Sequence, residues 1–215
     1  MKFDPAATIG AVVREVVSRE HEGRPARVVI ATRSYDTTMD DLWDALTSAE
    51  RIPRWFLPVS GELRLGGRYQ FEGNAGGEIT RCEPPRLLSV TWENGGGVSW
   101  LTVTLKDDAE GLTRLELEHV AHVEGDFWDR FGPGAVGVGW DLALMGLAQH
   151  LATGAAVDRA EAMTWSASAE GKDFMRRTSE AWGKASIAAG TEESAARAAA
   201  ARTTAFYTGE PEGGG

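Results

Sequence analysis

Three side chains in this sequence could do acid–base work: His119, Tyr69 and Asp141. His119 follows Leu115 and Leu117 at a period of two, with Arg114, Glu116 and Glu118 between them. In a strand, that alternation puts the imidazole on the apolar, inward face. There it is either a general base or hydrogen-bond donor to a ligand carbonyl, or a neutral core histidine bonded to Tyr69 or to a backbone carbonyl. Asp141 stands near the start of an apolar stretch. Its carboxylate either complements a helix N-terminus or faces a cavity and binds or deprotonates a polar ligand group. His119 and His122 are three residues apart, so a continuing strand separates them onto opposite faces. No Cys or third His accompanies them, and no metal site is expected. Gly132–Gly139 is glycine-rich but lacks the Lys-Ser/Thr pair of a phosphate-binding loop, and reads as a flexible rim. Cys82 is the one cysteine, which excludes a disulfide framework and a Cys-based metal site. No Gly-x-Ser-x-Gly motif is present. No cofactor is implied.

The stretch that must position these groups is Gly137–Ala152. Trp140, Leu144, Leu147 and Leu151 recur at i, i+4, i+7 and i+11, one face of a helix, and Ala143 and Ala148 widen it. A helix this apolar has to be wrapped by other elements, yet it is too short and too interrupted by Gly to span a membrane. What precedes it alternates like a β-meander. Ala26–Tyr35 reads as a first strand. Met39–Thr47 reads as a helix with Leu42, Trp43 and Leu46 on one face and a cap from Thr37 or Thr38. Ser48 caps a short turn that Pro53 limits, and the bulky corner Trp55-Phe56-Leu57-Pro58 follows. The strands Val59–Leu65, Arg68–Glu72, Glu78–Cys82, Leu87–Glu93, Val98–Lys106 and Leu112–Val120 are joined by Gly-rich turns, among them Gly66-Gly67 and Asn94-Gly95-Gly96-Gly97. Uninterrupted hairpins predict an antiparallel sheet rather than βαβ units.

Outside this region, Ile9, Val12, Val13, Val16 and Val17 form a stripe over Ala6–Glu20 that reads as an amphipathic helix, although β-branched residues weaken it. Beyond Gly154 the composition turns to Ala, Ser, Glu and Arg. Helices are predicted over Ser168–Ala189 and from Thr191–Glu193 to about Phe206, carrying Trp182, Phe174 and Phe206. At 215 residues with a net charge of −10, one sizeable domain with extensions is expected. Neither nucleic acid nor an anionic membrane is expected as a partner. The first residues carry no apolar leader segment, so the expected location is cytoplasmic.

Taken together, Trp43-Asp44-Ala45-Leu46-Thr47, Glu50-Arg51-Ile52-Pro53-Arg54-Trp55-Phe56, Gly66-Gly67-Arg68-Tyr69, Glu83-Pro84-Pro85, Trp92-Glu93 and Leu117-Glu118-His119 resemble the bacterial branch of the SRPBCC (START/Bet v 1-like) superfamily. More narrowly, they resemble proteins grouped with the C-terminal domain of the Hsp90 ATPase activator Aha1 (the AHSA1 family). The resemblance covers roughly Pro25–Leu151. It implies an α+β helix-grip fold: a curved antiparallel sheet of about six or seven strands around a long C-terminal helix, with extra N- and C-terminal helices. The expected organisation is an amphipathic helix (1–24), the helix-grip domain (25–153), a helical extension (154–208) and a disordered tail (209–215).

The resemblance also implies a deep apolar cavity between sheet and helix. Eight Trp residues supply material to line it, and the expected lining is Trp43, Trp55, Phe56, Tyr69, Phe71, Trp92, Trp100, His119, Trp140 and Leu144. The alternative for each is that it fills its own core. The leading expectation is a binding protein for a small apolar molecule without essential catalysis. The alternative is a cyclase/aromatase-like enzyme in which His119, Tyr69 and Asp141 act on a polyketide-like ligand. A minor alternative is an Hsp90-type co-chaperone. The two apolar extensions leave the assembly open between monomer and homodimer.

Overall fold

The computed structural model describes residues 5–123 and 126–211. Met1–Asp4 of the expected N-terminal helix, Glu124 and Gly125 of the loop before the long helix, and 212–215 of the expected disordered tail lie outside the described residues. The elements in chain order are α1 (Pro5–Gly10), β1 (Val13–His21), β2 (Arg24–Tyr35), α2 (Met39–Thr47), β3 (Val59–Gly61), β4 (Arg68–Phe71), β5 (Gly76–Glu83), β6 (Leu87–Asn94), β7 (Gly97–Asp107), β8 (Thr113–His122), α3 (Phe127–Phe131), α4 (Gly134–Thr153), α5 (Arg159–Ala167), α6 (Ala169–Ala188) and α7 (Glu193–Thr208). The strands form one antiparallel sheet in the order β1-β2-β8-β7-β6-β5-β4-β3. This is the expected α+β helix-grip arrangement.

The sheet has eight strands rather than six or seven, because Val13–His21 is a strand and not the expected helix. Helix is confined to the six residues of α1. The valines satisfy a helical spacing, but Val13 and Val17 also alternate with Arg14 and Val16 at a period of two. β-branched side chains favour the pleated backbone when a neighbouring strand is available. A second difference lies at Gly134–Gly139, which forms the first turns of α4 and not a rim loop. Those glycines serve close packing: a Cβ on Gly137 would stand 2.3 Å from the Trp182 ring.

By internal contacts the chain divides into two compact units, and the division falls within β2 and within α4. The first unit comprises Met1–Ala31, Val123–Leu142 and Asp158–Gly215. Its core is built on Trp182, Phe174, Met175 and Trp165 from the C-terminal helices and on Val138 and Trp140 of α4, all buried. The helix starts are written locally: Ser168 caps α6 by accepting from Gly171 N, and Glu192 caps α7 by accepting from Ala195 N.

The second unit comprises Thr32–His122 and Ala143–Val157. It holds α2, the meander β3–β8 and the second half of α4. Thr38 caps α2 by accepting from Asp41 N, with Asp40 and Asp41 in the first turn. Gly95 and Gly96 take φ of 59° and 82°, the two left-handed positions of a tight β6–β7 hairpin. Leu42, Leu105, Leu115, Leu117, Leu144 and Leu147 form its buried core.

Candidate ligand-binding site

The second unit collects most of the aromatic residues expected to contact a ligand. Cross-strand register fixes their face. Trp92 pairs with Ser99, and His119 pairs with Leu101. Ser99 and Leu101 are two residues apart on β7, so Trp92, Ser99, Leu101 and His119 share one face of the sheet. Phe71 on β4 packs against Trp92 at 5.8 Å between ring centroids, Tyr69 against Phe71 at 5.3 Å, and Trp92 against His119 at 6.2 Å. Phe56 meets Phe71 edge-on at 5.0 Å and Trp55 at 5.5 Å. A continuous row therefore runs Trp55–Phe56–Phe71–Trp92–His119. Tyr69 and His119 are buried, while Trp55, Phe56, Phe71 and Trp92 keep part of their surface accessible.

The corner that carries Trp55 and Phe56 is held by polar chemistry with no signature in the sequence. Arg51 Nη1 donates to Asp41 Oδ1 at 2.6 Å and to Asp44 Oδ2 at 3.1 Å. Arg51 also reaches His150 Nε2, 3.4 Å from its Nε and 3.3 Å from its Nη2. His150 is fully buried, and its Nδ1 lies 2.8 Å from the Ala155 carbonyl oxygen. A carbonyl only accepts, so Nδ1 carries the proton and Nε2 accepts from Arg51. Burial raises the Asp41 carboxyl, but hydrogen bonds from Thr37 and Arg51 outweigh it and leave the group below its usual range. Trp55 Nε1 donates to Ala45 O at 2.8 Å. Gly146 lets α4 meet this corner: a Cβ there would be 2.6 Å from Trp55 O. In sequence His150 is a lone histidine on an apolar helix, and no spacing ties it to Arg51.

The acid–base candidates are engaged rather than poised. Tyr69 donates to Thr91 O at 2.7 Å, and burial followed by the nearby Glu93 charge pushes its phenol above the usual range. Ser99 Oγ donates to Trp92 O at 3.1 Å, which uses its only proton. The 2.8 Å contact between Ser99 Oγ and His119 Nε2 is therefore donated by the imidazole. Burial lowers the His119 pKa to about 4, so the ring is neutral at pH 7.

Asp141 belongs to the first unit, where it is 2% exposed. Its Oδ1 takes Arg14 Nη2 at 2.7 Å, and its Oδ2 takes Arg14 Nε at 3.1 Å and Trp182 Nε1 at 2.8 Å. Arg14 Nη1 continues to the carbonyls of Ile9 and Val12. This is a buried ion pair locking β1, α4 and α6, and it commits the carboxylate that the catalytic alternative needs. The role of Arg14 is hidden in the sequence, because a helical reading of the stripe around it puts this residue on the polar side.

Of the other candidates, Leu144 and Trp140 are buried, in the second and first unit respectively, and Trp43 is half-buried on α2. Trp100 pairs with Thr91 and Val120 and packs at 4.9 Å on His122. It therefore lies on the sheet face opposite His119, away from the aromatic row. Among the described residues, no group of three His, Cys, Asp or Glu side chains is placed to hold a metal ion.

Residues 36–152 match the family described as activator of Hsp90 ATPase homolog 1-like protein. The chain belongs to this family. Among solved structures, this family member is similar to CalU16 from Micromonospora echinospora. The crystal structure of CalU16 is 33% identical over 81% of this chain and 98% of that one, with a TM-score of 0.67. Its solution structure is 31% identical over 83% and 97%, with a TM-score of 0.69. MLL2253 from Mesorhizobium loti is 26% identical over 59% of this chain and 97% of its own, at a TM-score of 0.52. DynU16, a protein in the dynemicin biosynthetic locus, shares the fold at 23% identity, covering 60% of this chain and 48% of its own, with a TM-score of 0.53. No curated protein matches the chain.

Proposed function

We propose that this AHSA1-family member binds a small apolar molecule on the aromatic face of its second unit, without catalysing a reaction on it. The observation that carries the reading is the row Trp55–Phe56–Phe71–Trp92–His119. Four of its five side chains stay partly accessible. Core side chains such as Leu115 and Leu147 are sealed by comparison. Binding sites for small molecules are built mainly of such apolar and aromatic walls. The acid–base alternative draws no support from the geometry, because Asp141 is saturated by Arg14 and Trp182 in the other unit.

The test is native mass spectrometry of the intact purified chain, then organic extraction and titration of the stripped chain with methyl 1-pyrenebutyrate, read by quenching of Trp fluorescence. A denaturation-sensitive adduct or saturable binding of the ester is expected. Phe71→Ala should weaken ester binding at least ~10-fold, the equivalent of about 1.4 kcal/mol. If neither adduct nor saturable binding is found, the reading is wrong.

A further inference from the structure

Among the described residues, β1 forms one edge of the sheet. Nothing shortens or breaks that edge. β1 runs nine residues without Pro or Gly, whereas the opposite edge strand, β3, has three. A long, regular edge strand is a template for another strand. Its surface is also open: Val13 and Val17 are 53% and 40% exposed, and Glu15 and Arg19 are exposed on the same side of the strand. The other side carries Arg14, which is committed to Asp141.

The β1–β2 turn fixes which backbone groups of β1 point outward. Glu22 and Gly23 take φ of 50° and 73°, the two left-handed positions of a two-residue hairpin. His21 therefore stands opposite Arg24, and Ser18 opposite Arg27. The hydrogen bond that Arg27 Nη1 donates to Ser18 Oγ agrees with this register. In such a hairpin His21, Arg19, Val17 and Glu15 turn their N–H and C=O toward β2, and Glu20, Ser18, Val16 and Arg14 turn theirs to the open edge. Pro25, opposite Glu20, shows the same parity, because its carbonyl faces away from β1 and accepts from Val123 N at 3.2 Å.

We propose that β1 pairs antiparallel with β1 of a second copy of this chain, about a two-fold axis through Val17. The sequence Glu15-Val16-Val17-Ser18-Arg19 is complementary to itself in that register. Each Glu15 stands opposite the second copy's Arg19, and Val17 stands opposite Val17, while the outward backbone groups of Val16 meet those of Ser18. Opposite charges and β-branched pairs facing each other across strands are stabilising, and like charges are not. Other registers lose this match. An axis at Val16 or Ser18 sets Val17 against Glu15 or Arg19, and an axis at Glu15 or Arg19 sets like charges face to face. The interface is isologous, the kind that closes as a dimer.

The experiment measures the mass of the full-length chain by light scattering over a dilution series, with no ligand present. A dimer that dissociates on dilution is expected. Glu15→Arg sets arginines opposite each other and should weaken association at least ~10-fold, and Glu15→Arg combined with Arg19→Glu should restore it. In a Cys82→Ser chain, Val17→Cys should form a disulfide-linked dimer on oxidation, because a strand residue facing its own copy lies within disulfide reach. Val13→Cys is comparably exposed but faces the second copy's His21, and should not cross-link. A monomer at every concentration up to about 0.1 mM overturns the proposal. So does a dimer that Glu15→Arg leaves intact, or one that Val13→Cys links as readily as Val17→Cys, since either uses another surface. The wild-type mass and the two cysteine variants decide the matter even if the charge-reversed chain does not fold.

Discussion

Breaking the Arg14–Asp141 pair from either side leaves a charge buried without its counterion. Both side chains are nearly inaccessible, at 7% and 1% of their surface. Removal of one partner from such a pair costs about 3–5 kcal/mol, whereas replacing both by apolar residues of similar volume is often close to neutral. Asp141→Asn and Arg14→Met are each expected to lower unfolding free energy by that amount in urea titrations, and Arg14→Met with Asp141→Leu should recover most of the loss. Single-variant losses below about 1 kcal/mol would mean that the pair is not dry. His119 makes a prediction in pH. Its folded pKa is about 4, while an unfolded histidine titrates near 6.5. Between those values the unfolded chain binds the extra proton. The contribution of His119 is thus fully present above about pH 6.5 and is lost as pH falls toward 4, by at most about 3 kcal/mol. The difference in stability between wild type and His119→Phe should narrow over that window. A constant difference from pH 7 to pH 4 would show that the ring is protonated in the folded state or open to water.

Elements differ in how openly the sequence announces them. α2 is legible to the residue, because Thr38, Asp40 and Asp41 cap and charge its first turn and Leu42 and Trp43 give it one apolar face. α6 is equally clear from the Ser168 cap and the spacing of Met175, Ser179 and Trp182. The β6–β7 hairpin follows from consecutive glycines. β1 is not legible, because the run Val12, Val13, Val16 and Val17 satisfies a helical spacing and only the presence of β2 as a partner turns it into a strand. α5 carries no such signal either, since Asp158 caps a helix whose apolar residues make no stripe. At the candidate site, the aromatic residues can be named from composition and alternation, but the Arg51–His150 contact joins residues far apart in sequence by geometry alone. The glycines of α4 carry a prediction at this scale. Gly137→Ala puts a methyl group 2.3 Å from the fully buried Trp182. Overpacking of that kind costs about 1–3 kcal/mol, despite the better helix propensity of Ala. A rise in Tm for this variant would show that α6 yields freely.

At the scale of the whole chain, the family match ends at residue 152, while the first unit draws most of its residues from beyond that point. Its largest fully buried side chains, Trp182 and Phe174, lie on α6, which packs against β1 and α7. Trp182 also donates to Asp141. A chain ending at Gly154 would keep every residue of the family match. It would also leave Arg14 and Asp141 without the ring that covers them, and bare the apolar faces of β1 and the start of α4. Burying an ion pair is favourable only while its remaining donors and acceptors are satisfied. The truncated chain is therefore expected to lose the slow hydrogen exchange of β1 and of residues 134–142, to show a lower urea midpoint than the full chain, and to aggregate through the exposed apolar surface. Hydrogen exchange read by mass spectrometry separates this from the opposite case. Unchanged protection of β1 and an unchanged midpoint would mean that residues 155–215 are an appendage and that the family segment stands without them.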